Sequence, residues 1–274
     1  MDTIGGRLPA HVRRERIVEL LVQRGGEGSL PVEELAATLG VSPATVRRDL
    51  GQLRVEGRIT RTYGGAVLGT ASAEISVRQR ELSNALEKDA IARAAAQLVE
   101  PGSVVLLDAG STTERLARLL RTIPDLTVAT NGVAAVCTLL EFGDTDIVVL
   151  GGRVRRINQT ISGSPAEQMV RGLYADIAFI GADAVDPKRG VASRTLEQST
   201  LKTLMADHAR TVVVVADSTK LSAAWTSYWS PMTRPWTLLT DDDADPELVE
   251  SFHAADPQLS VVTCPVGTDG IAAV

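Results

Sequence analysis

Hydrophobic positions near the start of the chain recur at helical spacing. Val32, Leu35, Ala36 and Leu39 give a short helix one apolar face. Gly40 follows the last of them and suits a left-handed cap. Ser42 and Pro43 then open a second helix, the serine as cap and the proline at a first helical position. Val46, Leu50 and Leu53 sit at i, i+4 and i+7 and predict its core face. Pro43, Ala44, Thr45, Arg47 and Arg48 are left on the outer side near the helix start. Gly57 ends the helix, and Arg58-Ile59-Thr60-Arg61-Thr62-Tyr63-Gly64-Gly65 predicts two short strands. Upstream, 9–24 forms another amphipathic helix with Ile17, Leu20 and Leu21 inward.

That succession predicts a winged helix-turn-helix, which places the first turns of one helix against base edges. Arg47 and Arg48 are suited to base contacts, since arginine bonds guanine with two donors. Ser42, Pro43, Ala44 and Thr45 complete the expected reading surface. Arg58, Arg61 and Tyr63 form a basic wing suited to phosphates or the minor groove. An isolated VRRDL would read as a solvated helix face; the whole succession points to double-stranded DNA.

Beyond position 69 the pattern changes. GTASA is small and polar and reads as a linker. A helix is expected from near Asn84 to about Val99. Short apolar runs then alternate with helical stretches: 104–107, 126–129, 147–150, 177–180, 212–215, 236–239 and 259–262. Helices are expected near 112–120 and 133–141. Continuous apolar runs between helices fit strands buried on both faces, hence an open, mostly parallel α/β sheet. The expected organisation is 1–68 for the reading domain, 69–84 for the linker and 85–274 for a second domain with ligand-binding and oligomerisation roles.

The strand ends carry the chemistry. They read Asp108-Ala109-Gly110-Ser111-Thr112-Thr113, Thr130-Asn131-Gly132, Gly151-Gly152-Arg153, Gly181-Ala182-Asp183 and Asp217-Ser218-Thr219-Lys220. Ligands of open α/β sheets bind at the carboxyl ends of strands. Gly110, Ser111, Thr112 and Thr113 open a helix, where backbone N–H groups and the dipole favour an anion. Lys220 supplies a cationic partner. Alone, such a loop is as consistent with an ordinary helix cap as with a ligand site. Glu197 is placed on an apolar stripe with Leu201, Leu204, Met205 and His208, where a carboxylate needs a partner. A structural ion pair and a ligand contact are both open for it. Lys202 lies roughly 140° from Glu197 around the helix, at the stripe's edge.

The 274 residues are 44% hydrophobic and 23% charged, which suits two globular domains. The net charge of −6 is uneven. Residues 1–70 hold 10 arginines against 8 acidic residues, for +2; the remainder holds 18 basic against 26 acidic, for −8. Local DNA contact is compatible with this balance; a polybasic nucleic-acid coat is not. Cys137 and Cys264 lack metal-ligand or disulfide spacing and read as structural. His11 and His253 have no metal context and His208 reads as a packed or partly exposed histidine, so neither metal nor cofactor is expected. No N-terminal stretch resembles a signal peptide and no run approaches ~20 apolar residues, so no membrane partner and a cytoplasmic location are expected.

Over nearly its full length the chain resembles the DeoR family of bacterial transcriptional regulators. The resemblance rests on ELAATLGVSPATVRRDLGQLRVEGRITRTYGGA, NALEKDAIARAAAQLV, LLDAGSTTERLA, LTVATNG, VVLGGRVRR, ADIAFIGADAV, the Glu197, Lys202 and Met205 spacing, and VVADSTK. It implies an effector domain similar in fold to sugar-phosphate isomerases and coenzyme A transferases. It further implies a phosphorylated sugar or related metabolite as ligand, whose binding relieves repression. Ser111, Thr112 and Thr113 would hold the phosphate; Asp108, Asn131, Gly152, Asp183 and Lys220 would line the rest. Tyr63 stands where the family commonly has histidine, and Ser111 where it commonly has threonine.

The expectation is a homo-oligomeric, metabolite-responsive repressor of a carbohydrate or related operon, with no catalytic residues. Two rivals are a sugar-phosphate isomerase carrying a DNA-binding head, with Asp108, Asp183, Glu197 and Lys220 as acids and bases, and an architectural DNA-binding protein with a vestigial pocket.

Overall fold

The computed structural model describes residues 9–23, 30–55, 59–62, 65–68, 77–141, 144–221 and 228–267. The chain divides into two compact units, Met1–Ile75 and Ser76–Val274.

The first unit contains α1 (Ala10–Gln23), β1 (Leu30–Pro31), α2 (Val32–Leu39), α3 (Pro43–Val55), β2 (Ile59–Thr62) and β3 (Gly65–Leu68). The three strands form an antiparallel sheet in the order β1-β3-β2. Gly40 adopts φ 63°, and its N–H reaches the Ala36 and Ala37 carbonyls, closing α2 in the left-handed cap that glycine permits. Ser42 opens α3: the Thr45 N–H donates to Ser42 Oγ at 3.2 Å. Ile17, Leu21, Val32, Leu35, Val46, Leu50, Leu53 and Ile59 share one small core. The helical phase expected from the sequence is the phase found.

The second unit begins with α4 (Val77–Leu82) and α5 (Ala85–Ala96). The stretch expected as linker, 69–84, therefore contains a helix; six residues are too short to leave an apolar periodicity. Alternating elements follow: β4 (Val104–Leu107), α6 (Ser111–Leu120), β5 (Thr127–Thr130), α7 (Val133–Leu140), β6 (Asp146–Val149), β7 (Arg153–Arg155), β8 (Thr160–Ser162) and α8 (Ser164–Arg171). After them come β9 (Ala175–Gly181), β10 (Val185–Asp186), β11 (Gly190–Ser193), α9 (Leu196–Asp207), β12 (Ala209–Val215), β13 (Tyr228–Ser230), β14 (Trp236–Asp241), α10 (Pro246–Ala255) and β15 (Leu259–Cys264).

Seven strands form one parallel sheet in the order β15-β14-β12-β9-β4-β5-β6. Successive side chains point to opposite faces. Val105, Leu107, Ile177, Phe179, Val213 and Val215 pack with α5, α6 and α7. Leu106, Ala178, Ile180, Val212 and Val214 pack with α8, α9 and α10. The result is a three-layer α/β/α unit, the α/β class that the apolar runs predict. Two small antiparallel pieces lie outside it: the β7–β8 hairpin and the sheet β10-β11-β13. Their residues are few and mixed in polarity, so no periodicity announces them.

Candidate effector pocket and nucleic-acid interface

In the first unit, Ser42, Pro43, Ala44, Arg47 and Arg48 are exposed and Thr45 half-buried, all at the start of α3. Arg47 makes a loose exposed pair with Glu33 on α2, at 3.4 Å. Behind this face, Asp49 of α3 is buried and takes two hydrogen bonds from Arg13 of α1, at 2.5 and 3.1 Å. Sequence periodicity marked neither residue, because both are polar on a face that apolar patterning assigns to the core. Arg58 and Tyr63 lie outside the described residues; Arg61 is on β2.

In the second unit, a pocket opens at the carboxyl ends of the parallel strands. It is lined by the 109–113 loop, Gly181 to Asp183, Lys220, Lys202 and several residues that sequence reasoning missed. Ser111, Thr112 and Thr113 form the first turn of α6. The first N–H groups of a helix have no partner within it. Thr113 is fully buried and donates its hydroxyl proton to the Gly110 carbonyl at 3.0 Å. Ser111 and Thr112 carry the hydroxyls left for a ligand.

Asp108 lies beneath the pocket. Its Oδ2 accepts from Lys202 Nζ at 2.6 Å and from the Gly181 N–H at 3.1 Å; its Oδ1 accepts from Asn131 Nδ2 at 3.2 Å. Lys202 also donates to the Gly181 carbonyl. Asp108 and Asn131 thus form a buried floor, and Lys202 is the pocket-lining cation that neutralises it.

Asp183 meets Arg80 of α4 at 2.7 Å. Burial pushes the Asp183 carboxyl up, but Arg80, Lys202, Arg194 and Lys220 outweigh it and hold the group below the ordinary range. Lys88 donates to the Arg80 and Ser83 carbonyls at 2.6 and 2.7 Å, at the end of α4. Burial, with Lys220, Arg115 and Arg80 adding repulsion against the pull of Asp217, lowers its pKa to about 8. Asp217 accepts from Asn84 Nδ2 at 2.9 Å and from the Thr219 hydroxyl.

Asp108 and Asn131, expected to line the pocket, stand behind its wall and do not line it, and two further expected positions are corrected. Glu197 is exposed and does not line the pocket; its own backbone N–H and the Thr195 hydroxyl hold its carboxyl below the ordinary range. The buried face of α9 runs instead through Gln198, Ser199, Leu201, Lys202 and Met205. Gln198 and Lys202, one turn apart, are the pocket pair. Gly152 is also exposed and outside the pocket. It stands at φ 135°, where an added Cβ would lie 2.5 Å from the Ser162 carbonyl oxygen, so glycine there serves the hairpin. Besides Gln198, the polar pocket residues that the sequence did not reveal are Arg80, Lys88, Asn158 and Thr160; Asp217, marked only as part of a polar strand end, also lines it. Among the described residues no cluster of three or more His, Cys, Asp or Glu could hold a metal ion, and no helix is long and apolar enough to cross a membrane.

A helix-turn-helix unit joined to an α/β unit with an anion-suited pocket defines a ligand-sensing transcriptional regulator. The family model described as DeoR C terminal sensor domain matches residues 83–242, and that described as DeoR-like helix-turn-helix domain matches 13–71. The putative aga operon transcriptional repressor of Escherichia coli O157:H7 is 34% identical, covering 91% of this chain and 93% of its own. The glycerol-3-phosphate regulon repressor of Escherichia coli K12 is 29% identical, over 76% of this chain and 81% of its own. Among solved structures, ribose 5-phosphate isomerase A of Methanocaldococcus jannaschii aligns over 51% of this chain and 56% of its own, at 22% identity and a TM-score of 0.39. The chain belongs to the DeoR family of transcriptional regulators. It is a regulator and not an enzyme.

Proposed function

We propose that the protein represses a carbohydrate or related metabolic operon and leaves its operator when a phosphorylated sugar or polyol fills the pocket of the second unit. The observation that carries this reading is the first turn of α6. Its unpaired N–H groups and the Ser111 and Thr112 hydroxyls share a pocket with Lys220, Lys88 and Arg80. Such a set suits a phosphate better than a carboxylate, which has fewer acceptor oxygens to satisfy. The name of the glycerol-3-phosphate regulon repressor described above supports the same ligand class.

On the DNA side, Ser42, Pro43, Ala44, Thr45, Arg47 and Arg48 read the major groove, with Arg58, Arg61 and Tyr63 as the wing. Helix-turn-helix proteins engage paired half-sites about 34–36 Å apart, which supports a homo-oligomer. A ligand shifts such an assembly by binding one of its arrangements better than the other. The reading places the protein in the cytoplasm, where operator and phosphorylated metabolites meet.

The test is a DNA fragment selected from a random pool by this protein. Added sugar phosphates should release it at concentrations where the parent sugars do not. Retention of the fragment across a broad panel of phosphorylated sugars and polyols would overturn the proposal.

A further inference from the structure

Asn158 sits in the turn between β7 and β8. It is 8% exposed and lines the pocket, and its Oδ1 has no hydrogen-bond partner. Its place is fixed by the backbone on either side. The Val133 N–H donates to the Gln159 carbonyl at 3.1 Å, and the Ile161 N–H to the Asn131 carbonyl at 2.7 Å. Gly132 bridges to Thr160. Gly132 in turn lies close against the loop after β4: a Cβ there would come within 3.2 Å of the Ala109 Cα. The turn of the hairpin is therefore tied to the same strand ends that present Ser111 and Thr112.

The balance of donors and acceptors in this pocket is uneven. Lys88, Lys220, Arg80, the Ser111 and Thr112 hydroxyls and the helix N–H groups are donors. A phosphate dianion brings only acceptors and satisfies those groups. Of the acceptors, Asp183 already has Arg80, and Asp217 has Asn84 and Thr219. Asn158 Oδ1 is left as a buried acceptor that bare phosphate cannot complete. A buried polar atom without a partner costs free energy, and a ligand that supplies the missing donor recovers it.

We propose that Asn158 determines specificity by accepting a hydrogen bond from a hydroxyl on the effector's carbon skeleton, and so separates polyol and sugar phosphates from inorganic phosphate. This rests on the reading of the pocket as a site for phosphorylated sugars. The hydroxyl keeps its proton and donates a hydrogen bond to Oδ1, while the phosphate stays with the α6 turn and the cations.

Calorimetric titration of the full chain tests it, with ribose 5-phosphate, glycerol 3-phosphate, fructose 6-phosphate and inorganic phosphate as probes. The wild type should bind at least one organic phosphate more tightly than inorganic phosphate. Asn158→Leu, similar in size but unable to accept, should cut that preference about tenfold and leave inorganic phosphate unchanged. Asn158→Asp keeps the acceptor and should keep the preference, while its added charge weakens every phosphate alike. If Asn158→Leu retains the preference, or weakens organic and inorganic phosphate equally, Asn158 does not read the skeleton, and the wider reading of the pocket still stands. If the wild type prefers none of the organic phosphates, that wider reading falls and this one with it.

Discussion

The two units place their functional groups in opposite ways. In the first, the groups at the start of α3 proposed to read DNA are exposed apart from half-buried Thr45, and a buried ion pair, Arg13 with Asp49, stands behind them. In the second, the groups around the pocket are bonded to each other: Asp108 with Lys202, Asn131 and Gly181 in the interior, and Asp183 with Arg80 half-buried. An exposed contact can be removed without disturbing its support. A buried, mutually bonded one cannot, because the partner left behind loses its compensation. Loss of DNA binding in α3 variants is therefore readable as lost contact, whereas loss of ligand response in floor variants mixes contact with folding.

The largest effects should come from the two buried pairs. Asp49→Ala removes the buried carboxylate that takes two hydrogen bonds from Arg13 and should destabilise the first unit by about 3–5 kcal/mol, enough to unfold so small a core and abolish all DNA binding. Lys202→Met leaves the buried Asp108 carboxylate its bonds from Asn131 and Gly181 but removes its ion-pair partner, and should cost the second unit about the same. Scanning calorimetry checks both, each variant lowering the transition of its own unit. If either variant melts like the wild type, that ion pair does not support its unit as described.

Arg48→Ala should come next, weakening selected operator DNA by roughly 1–3 kcal/mol with little change in melting temperature. Equal losses on operator and random DNA would reassign Arg48 to a phosphate contact. Thr112→Val should follow, weakening a sugar phosphate by about tenfold while DNA affinity holds; unchanged ligand sensitivity would remove Thr112 from the phosphate site.

The smallest effect concerns pH. Lys88 is charged below about 8 and neutral above it. Affinity for a phosphate dianion should therefore fall a few-fold as pH rises through that value, and Lys88→Arg should abolish the fall. Stability without ligand runs the other way. Burial disfavours the ammonium in the folded chain, while an unfolded lysine stays protonated to about 10.4. Between these values the unfolded state binds more protons, so stability rises with pH. A wild-type curve that parallels Lys88→Met in this window would show that burial does not hold the Lys88 pKa down.

Much of this molecule is legible from sequence because its main signals are apolar. Strands β4, β9 and β12 are covered on both faces and read as continuous runs. The helix-turn-helix is announced by Gly40, Ser42 and the 46, 50, 53 spacing, each with one backbone meaning. The floor of the pocket is partly legible, since Asp108 and Asn131 follow strands directly. Helix α9 shows where such reading fails. Leu196 is 61% exposed, whereas Gln198, Ser199 and Lys202 are buried. The inward face is polar there because it looks into a ligand pocket, so apolar periodicity selected Glu197, one position out of phase. Arg80 and Asn158 enter the pocket from the six-residue α4 and a hairpin turn, neither of which leaves a periodic trace, and Lys88 enters from α5 as a buried polar residue that apolar patterning passes over.

The β7–β8 hairpin has one further consequence. Helix α9 contributes Leu201 and Met205 to the hydrophobic interior and Gln198 and Lys202 to the cavity wall, so altering its cavity side also disturbs the interior. No residue from 153 to 160 belongs to either interior cluster, yet this segment lends Asn158 and Thr160 to the cavity. It is an interchangeable fitting: a swapped loop of equal length, keeping Gly152, would retune which compound is sensed while the surrounding scaffold melts at the same temperature.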